Sequence, residues 1–175
     1  MDIQQEIQPE DVPDEIFRLS DAYLDAAERL NDQIVRGDWE SSTQRGQVIL
    51  FLAFHAVELS LKGCIKTVQP SEISMHHTLP KLVERLNSLV PGLNYQAPFS
   101  YAEPTSQPTA KMRAMMEESD RMAHQRFRYP TNNNGNPWED VFGFSADLFQ
   151  NTLKGIRGEL RRIRDLVTKY SNSAL

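Results

Sequence analysis

The sequence predicts an all-α fold: a four-to-five-helix bundle of up-and-down antiparallel helices, four of them long and one shorter and inserted. Three observations carry that expectation. From Gln47 to Val68 the apolar residues Leu50, Phe54, Val57, Leu61, Cys64, Ile65 and Val68 recur three and four apart, and Val48, Ile49, Phe51, Leu52 and Leu59 widen that face almost to the full circumference. Near the C-terminus Phe149, Leu153, Ile156, Leu160, Ile163, Val167 and Tyr170 step alternately by four and three. No stretch alternates convincingly as a strand does, and no internal repeat occurs.

In chain order, residues 1 to 12 read as a polar tail and residues 13 to 175 as one helical domain. Pro13 stands where a first-turn proline is tolerated, and Ile16, Leu19, Tyr23, Ala26, Leu30 and Ile34 mark the inner face of a first helix that ends near Gly37. The opposite face of that helix is acidic and is expected in solvent. Ser41 or Ser42 can cap the central helix, which stops before Pro70. Thr78 can cap a short third helix whose buried face is Leu79, Leu82, Val83, Leu86, Leu89 and Val90, and Pro91 and Gly92 end it. Residues 91 to 108 hold four prolines and three aromatics, the composition of an ordered loop or flap. Thr109 can cap a fourth helix with Met112, Met115, Met116, Met122 and Ala123 inside, and the Asn-rich turn Thr131 to Pro137 separates it from the last helix.

The net charge of −5 is uneven: residues 1 to 40 carry twelve acids and three bases, a balance of −9, which leaves +4 for the remainder and room there for an anionic ligand. The single cysteine, Cys64, excludes an intramolecular disulfide and falls on the apolar line of the central helix, so a core role is expected. The central apolar run is broken at His55 and Glu58, short of a bilayer span, and the acidic N-terminus lacks a secretory pattern. A soluble, cytoplasmic protein without a membrane partner is the expectation.

Two sets of residues can carry chemistry. The segment Asp120 to Pro130, DRMAHQRFRYP, concentrates Arg121, His124, Arg126, Phe127, Arg128 and Tyr129. Guanidinium forks match phosphate, a histidine moves protons near neutrality, and aromatic rings stack on bases. The alternative is that these arginines satisfy the last carbonyls of a helix while the rings anchor its exit. The second set is the polar line His55, Glu58, Lys62 and Lys66 on the central helix, which either forms a second wall of the same site or is an i,i+4 ion pair on a solvated edge. A third candidate, the basic line Lys154, Arg157, Arg161 and Arg164 on the last helix, reads first as a solvated flank. The spacings of His55 with Glu58 and of Asp120 with His124 allow metal ligands, but no Glu-x-x-His repeat accompanies them, so neither a metal nor another cofactor is expected. No phosphate-binding glycine loop or nucleophile elbow is present, which leaves side chains to hold any nucleotide.

Taken in order, AFHAVELSLKG, HHTLPKL and AHQRFRYP resemble the HEPN superfamily of all-α bundles over about residues 47 to 130. The resemblance implies a homodimer and binding of RNA or a nucleotide. It further implies either a metal-independent ribonuclease of toxin-antitoxin, defence or RNA-processing systems, or a non-catalytic protein paired with a nucleotidyltransferase-type or antitoxin partner. Catalytic members carry an arginine and, after four to six intervening residues, a histidine. His124 matches the histidine, whereas that spacing falls on Glu117, Glu118 and Ser119, with Arg121 only three residues before it. Carboxylates beside a scissile phosphate would repel it, so a divergent ribonuclease would rely on His124 as acid or base and Arg121 for the developing charge, with Arg126, Arg128, Tyr129, His55, Glu58 and Lys62 in binding roles. A non-catalytic dimerisation or protein-interaction module is the competing expectation.

Overall fold

The computed structural model describes residues 12–72, 78–98, 125, 134–136 and 144–173. These form α1 (Val12–Val35), α2 (Thr43–Val68), α3 (Leu79–Leu89) and α4 (Ala146–Ser173), and no strand occurs among the described residues. An all-α bundle is therefore the architecture.

Local chemistry sets the ends of these helices. Gly37 takes φ of 78° and its N–H donates to Ile34 O, while Asp38 N–H donates to Gln33 O, so the last carbonyls of α1 are met by a left-handed turn. Ser42 caps α2, its side chain accepting from Arg45 N–H at 3.3 Å. At the other end Lys66 Nζ donates to the carbonyls of Pro70 and Glu72, which closes the turn after α2. Thr78 occupies the cap position of α3 without a side-chain hydrogen bond, and Pro80 lies in the first turn, where it breaks no helical bond. After α3, Asn87 accepts from Tyr95 N–H and donates to Tyr95 O, both at 3.0 Å, which folds residues 93 to 97 back so that Leu93, Tyr95 and Ala97 are buried.

α1 runs antiparallel to both α2 and α4. Phe17 meets Gly63 and Ser20 meets Ala56 on α2, while Asp21 meets Arg164, Glu28 meets Arg157 and Asp32 meets Gln150 on α4. It follows that α2 and α4 lie parallel, with Phe144 at Gly46, Arg164 at Ser60 and Ser171 at Thr67. Parallel neighbours need a connection as long as the bundle, which the chain between Gln69 and Ser145, α3 included, provides. Ile49, Ala53, Phe54, Val57, Leu61, Cys64 and Ile65 of α2 form the centre of the core with Leu24 and Ala27 of α1, Leu82 and Leu86 of α3, and the α4 seam from Leu153 to Val167. Each Leu, Ile, Val or Phe side chain among these contributes about 1.5–3 kcal/mol by leaving water.

Three expectations are corrected. The fully buried line of α1 is Ser20, Leu24, Ala27 and Asn31, one residue round from the line expected; Tyr23, Leu30 and Ile34 of the expected line pack half-buried beside it, and Leu19 is 49% exposed. Apolar periodicity missed it because two of the four interface residues are polar, satisfied across the contact. Ser20 Oγ donates to Ala56 O at 2.7 Å, and Asn31 Nδ2 donates to Ala146 O at 3.0 Å. The acidic side of α1 is not simply solvated, nor is the basic line of α4: Arg157 bonds Glu28 and Asp25, and Arg164 bonds Asp21, so the two lines form an ion-pair seam. Lys154 and Arg161 do remain exposed. Tyr170 lies outside the seam, 38% exposed.

By length and composition α2 would also suit a membrane span, yet more than half of its most apolar window is covered by the bundle. Its apolar circumference is explained by position, since α1, α3 and α4 all pack on it.

Candidate functional site

The polar line of α2 passes through this core. Glu58 is 3% exposed, and a carboxylate so placed is costly unless partners replace its water. Helical spacing supplies them from the same strip: Lys62 Nζ donates to Glu58 Oε1 at 2.7 Å, and His55 Nδ1 lies 3.3 Å from Oε2. The Lys62 side chain is 15% exposed and that of His55 20%, so the group reaches solvent at its edge only. This differs from an i,i+4 pair on an open helix face, where water screens most of the attraction.

The His55 ring is held on two further sides. Phe51, one turn earlier on α2, stacks on it with centroids 5.7 Å apart and planes 10° from parallel. Tyr23 of α1 meets it edge-on, at 4.7 Å and 88°. Sequence periodicity set Phe51 on the apolar face and His55 on the polar line, and the four-residue spacing lets the two rings meet where those faces join. Periodicity treated Tyr23 as packing and could not reveal the contact, which joins residues on separate helices. The outcome is a fixed imidazole beside a buried carboxylate and an ammonium, an arrangement able to hydrogen-bond a polar ligand and to orient a proton-transfer group.

His55, Glu58 and Lys62 are thus brought together. His124, Arg121, Arg126, Arg128 and Tyr129 lie outside the described residues, as do His76, His77, Asp120 and residues 99 to 108; Gln125, between two of them, is helical. Of the basic line on the last helix, Arg157 and Arg164 are committed to acids of α1, and the paired Glu28 and Asp25 carboxylates hold the Arg157 guanidinium still more firmly charged. Lys66 braces the end of α2. Among the described residues no cluster of three or more metal-ligating side chains occurs.

Cys64 is buried on the core side of α2, and burial pushes its thiol up to about 12 despite the nearby Arg164 charge. Because the thiolate is the reactive form, labelling by a thiol reagent at about pH 8 is expected to be very slow in the native protein and fast in denaturant. Rapid native labelling would show that the core opens around this residue. Compared with known proteins, the chain matches no family model, no curated protein and no solved structure.

Proposed function

We propose that this chain is a HEPN-like, cytoplasmic, dimeric protein that binds RNA or a nucleotide in a cleft with His55, Glu58 and Lys62 along one wall. The observation that supports this reading best is the buried Glu58, which holds His55 and Lys62 in the middle of a helix otherwise given over to the core. A core helix with no ligand to meet would be more stable with apolar residues there, because well-packed hydrophobic replacements of a buried ion pair are often neutral or stabilising. Arg121, His124, Arg126, Arg128 and Tyr129 would supply the phosphate-binding and stacking groups of the other wall. Glu117, Glu118 and Ser119 stand where the resemblance would need an arginine for cleavage.

The binding reading is tested by titrating the full chain into labelled oligoadenylate at low salt, beside Lys62→Ala and Arg126→Ala variants. Binding that weakens severalfold in both variants is expected, and no binding by the unmodified chain would end this reading. Incubation with total RNA without metal, against a His124→Ala control, tests cleavage separately. Identical RNA patterns would remove ribonuclease activity.

One observation favours a second reading, that of a dimerisation or protein-interaction module such as the partner of an antitoxin or nucleotidyltransferase. On α4, Leu166 and Tyr170, one turn apart, are each 38% exposed, a small apolar strip that a second surface would cover.

A further inference from the structure

We propose that Asn134 is a site of spontaneous covalent modification, at which the backbone nitrogen of Gly135 attacks the side-chain amide and the residue is converted to aspartate and isoaspartate. The inference stands or falls separately from the nucleic-acid-binding reading above.

Water is the co-reactant, and no other is needed. The Gly135 N–H gives its proton to hydroxide, and the nitrogen lone pair forms a bond to Asn134 Cγ. The bond from Cγ to Nδ2 then breaks, ammonia leaves with a proton taken from solvent, and a cyclic imide remains. Water opens that ring in one of two places. Cleavage between Cγ and the Gly135 nitrogen gives aspartate. Cleavage between the main-chain carbonyl carbon and that nitrogen gives isoaspartate, in which the main chain runs through Cβ and Cγ and is longer by a carbon. The sum is an amide exchanged for a carboxylate, with no change of oxidation state. Each event takes the balance of residues 41 to 175 from +4 to +3, in the connection that leads into α4.

An asparagine undergoes this reaction where it is open to water, where its backbone is not held in a helix, and where the next residue has an N–H without side-chain bulk beside it. Asn134 meets all of these. Residues 134 to 136 are exposed and lie in a turn outside the helices. Gly135 has φ of 77°, and a Cβ built on it would meet nothing within 4 Å, so the space around the attacking residue is open. The other described asparagines each fail. Asn31 is fully buried and donates to Ala146 O. Asn87, Asn151 and Asn172 lie in α3 and α4, where helical ψ holds the side chain away from the next nitrogen and that N–H is committed to the carbonyl four residues back. Asn94 is exposed, but the Tyr95 N–H that would attack it donates to Asn87 Oδ1 at 3.0 Å. Asn136 precedes Pro137, which has no N–H to lose.

The test incubates the folded full chain for days at about pH 7 and about pH 9 and reads the product by peptide mass spectrometry, as a gain of about 1 Da placed on a single asparagine. Enzymatic methylation counts the isoaspartate. Product is expected at Asn134 before any other asparagine, and at least about tenfold faster at the higher pH, because the deprotonated nitrogen is the nucleophile. Gly135→Ala sets a Cβ beside that nitrogen and disfavours the left-handed backbone, and is expected to slow the reaction about tenfold. Asn134→Ser has no amide to lose, and is expected to show no product at this position. In urea the Tyr95 N–H is released, so Asn94 is expected to react there and not in the folded chain. Absence of product from the folded chain, or product first at an asparagine other than Asn134, overturns the inference. So does a rate that ignores pH or is unchanged in Gly135→Ala, and so does reaction of Asn94 in the folded chain as fast as that of Asn134.

Discussion

Arg164→Ala is expected to lower the unfolding free energy by about 3 kcal/mol, the size associated with removing a guanidinium from a largely buried set of charge-assisted hydrogen bonds. The Arg164 side chain is 15% exposed and joins three helices. Nη1 donates to both Asp21 carboxylate oxygens at 2.9 Å, Nη2 to Ser20 Oγ at 3.0 Å and Nε to Ser60 Oγ at 3.1 Å, and the guanidinium lies 4.7 Å over the Phe17 ring. Alanine leaves Ser20 and Ser60 short of a donor in the core and opens a space beside Phe17. Arg164→Lys retains charge but loses the planar fork, so it is expected to recover less than half of the loss. Asp21→Asn should cost less than Arg164→Ala, because Asp21 is half-exposed and water can replace part of its contact. Urea denaturation of the three variants measures this. A loss below about 1 kcal/mol for Arg164→Ala would mean that the guanidinium is an ordinary surface group.

The second large effect is a contrast between two glycines in helix interiors. At Gly63 an added Cβ would lie 2.5 Å from the Phe17 ring, well inside contact distance, whereas at Gly155 it would meet nothing within 4 Å. Alanine improves helix propensity by about 1 kcal/mol at either site. Overpacking at a closed interface costs about 1–3 kcal/mol, more where an aromatic ring has to move. Gly63→Ala is therefore expected to destabilise by about 2 kcal/mol, and Gly155→Ala to stabilise by up to about 1 kcal/mol. Thermal melts of the pair check the sign, and stabilisation by both would place the Phe17 ring elsewhere than on Gly63. Phe17 also lies under the Arg164 guanidinium, so displacing its ring would disturb that contact as well.

The helical class, and the type and boundaries of the described helices, were largely readable in the chain itself. The four-three alternation from Leu153 to Val167, a serine cap at Ser41 or Ser42, which the structure places at Ser42, and the turn at Gly37 are encoded within a few residues of where they act. The line of His55, Glu58 and Lys62 was visible for the same reason: residues three and four apart on one helix must be neighbours. The rotation of α1 was not readable, since Ser20 and Asn31 look like surface residues until a partner carbonyl is placed opposite each. Nor was the role of the α4 arginines, because Asp21 and Arg164 are 143 positions apart and nothing local distinguishes a paired cation from a solvated one.

Sequence alone determined that this protein is helical, that α2 is its central helix and that a carboxylate interrupts that helix between a histidine and a lysine. All of these depend on contacts along one helix or on total apolar content. Only the tertiary structure decided that Glu58 is buried, that Tyr23 and Phe51 hold the His55 ring from two sides, and that Arg164 joins three helices. Those depend on which faces of separate helices meet, and packing of whole surfaces selects that arrangement where no short stretch of residues can.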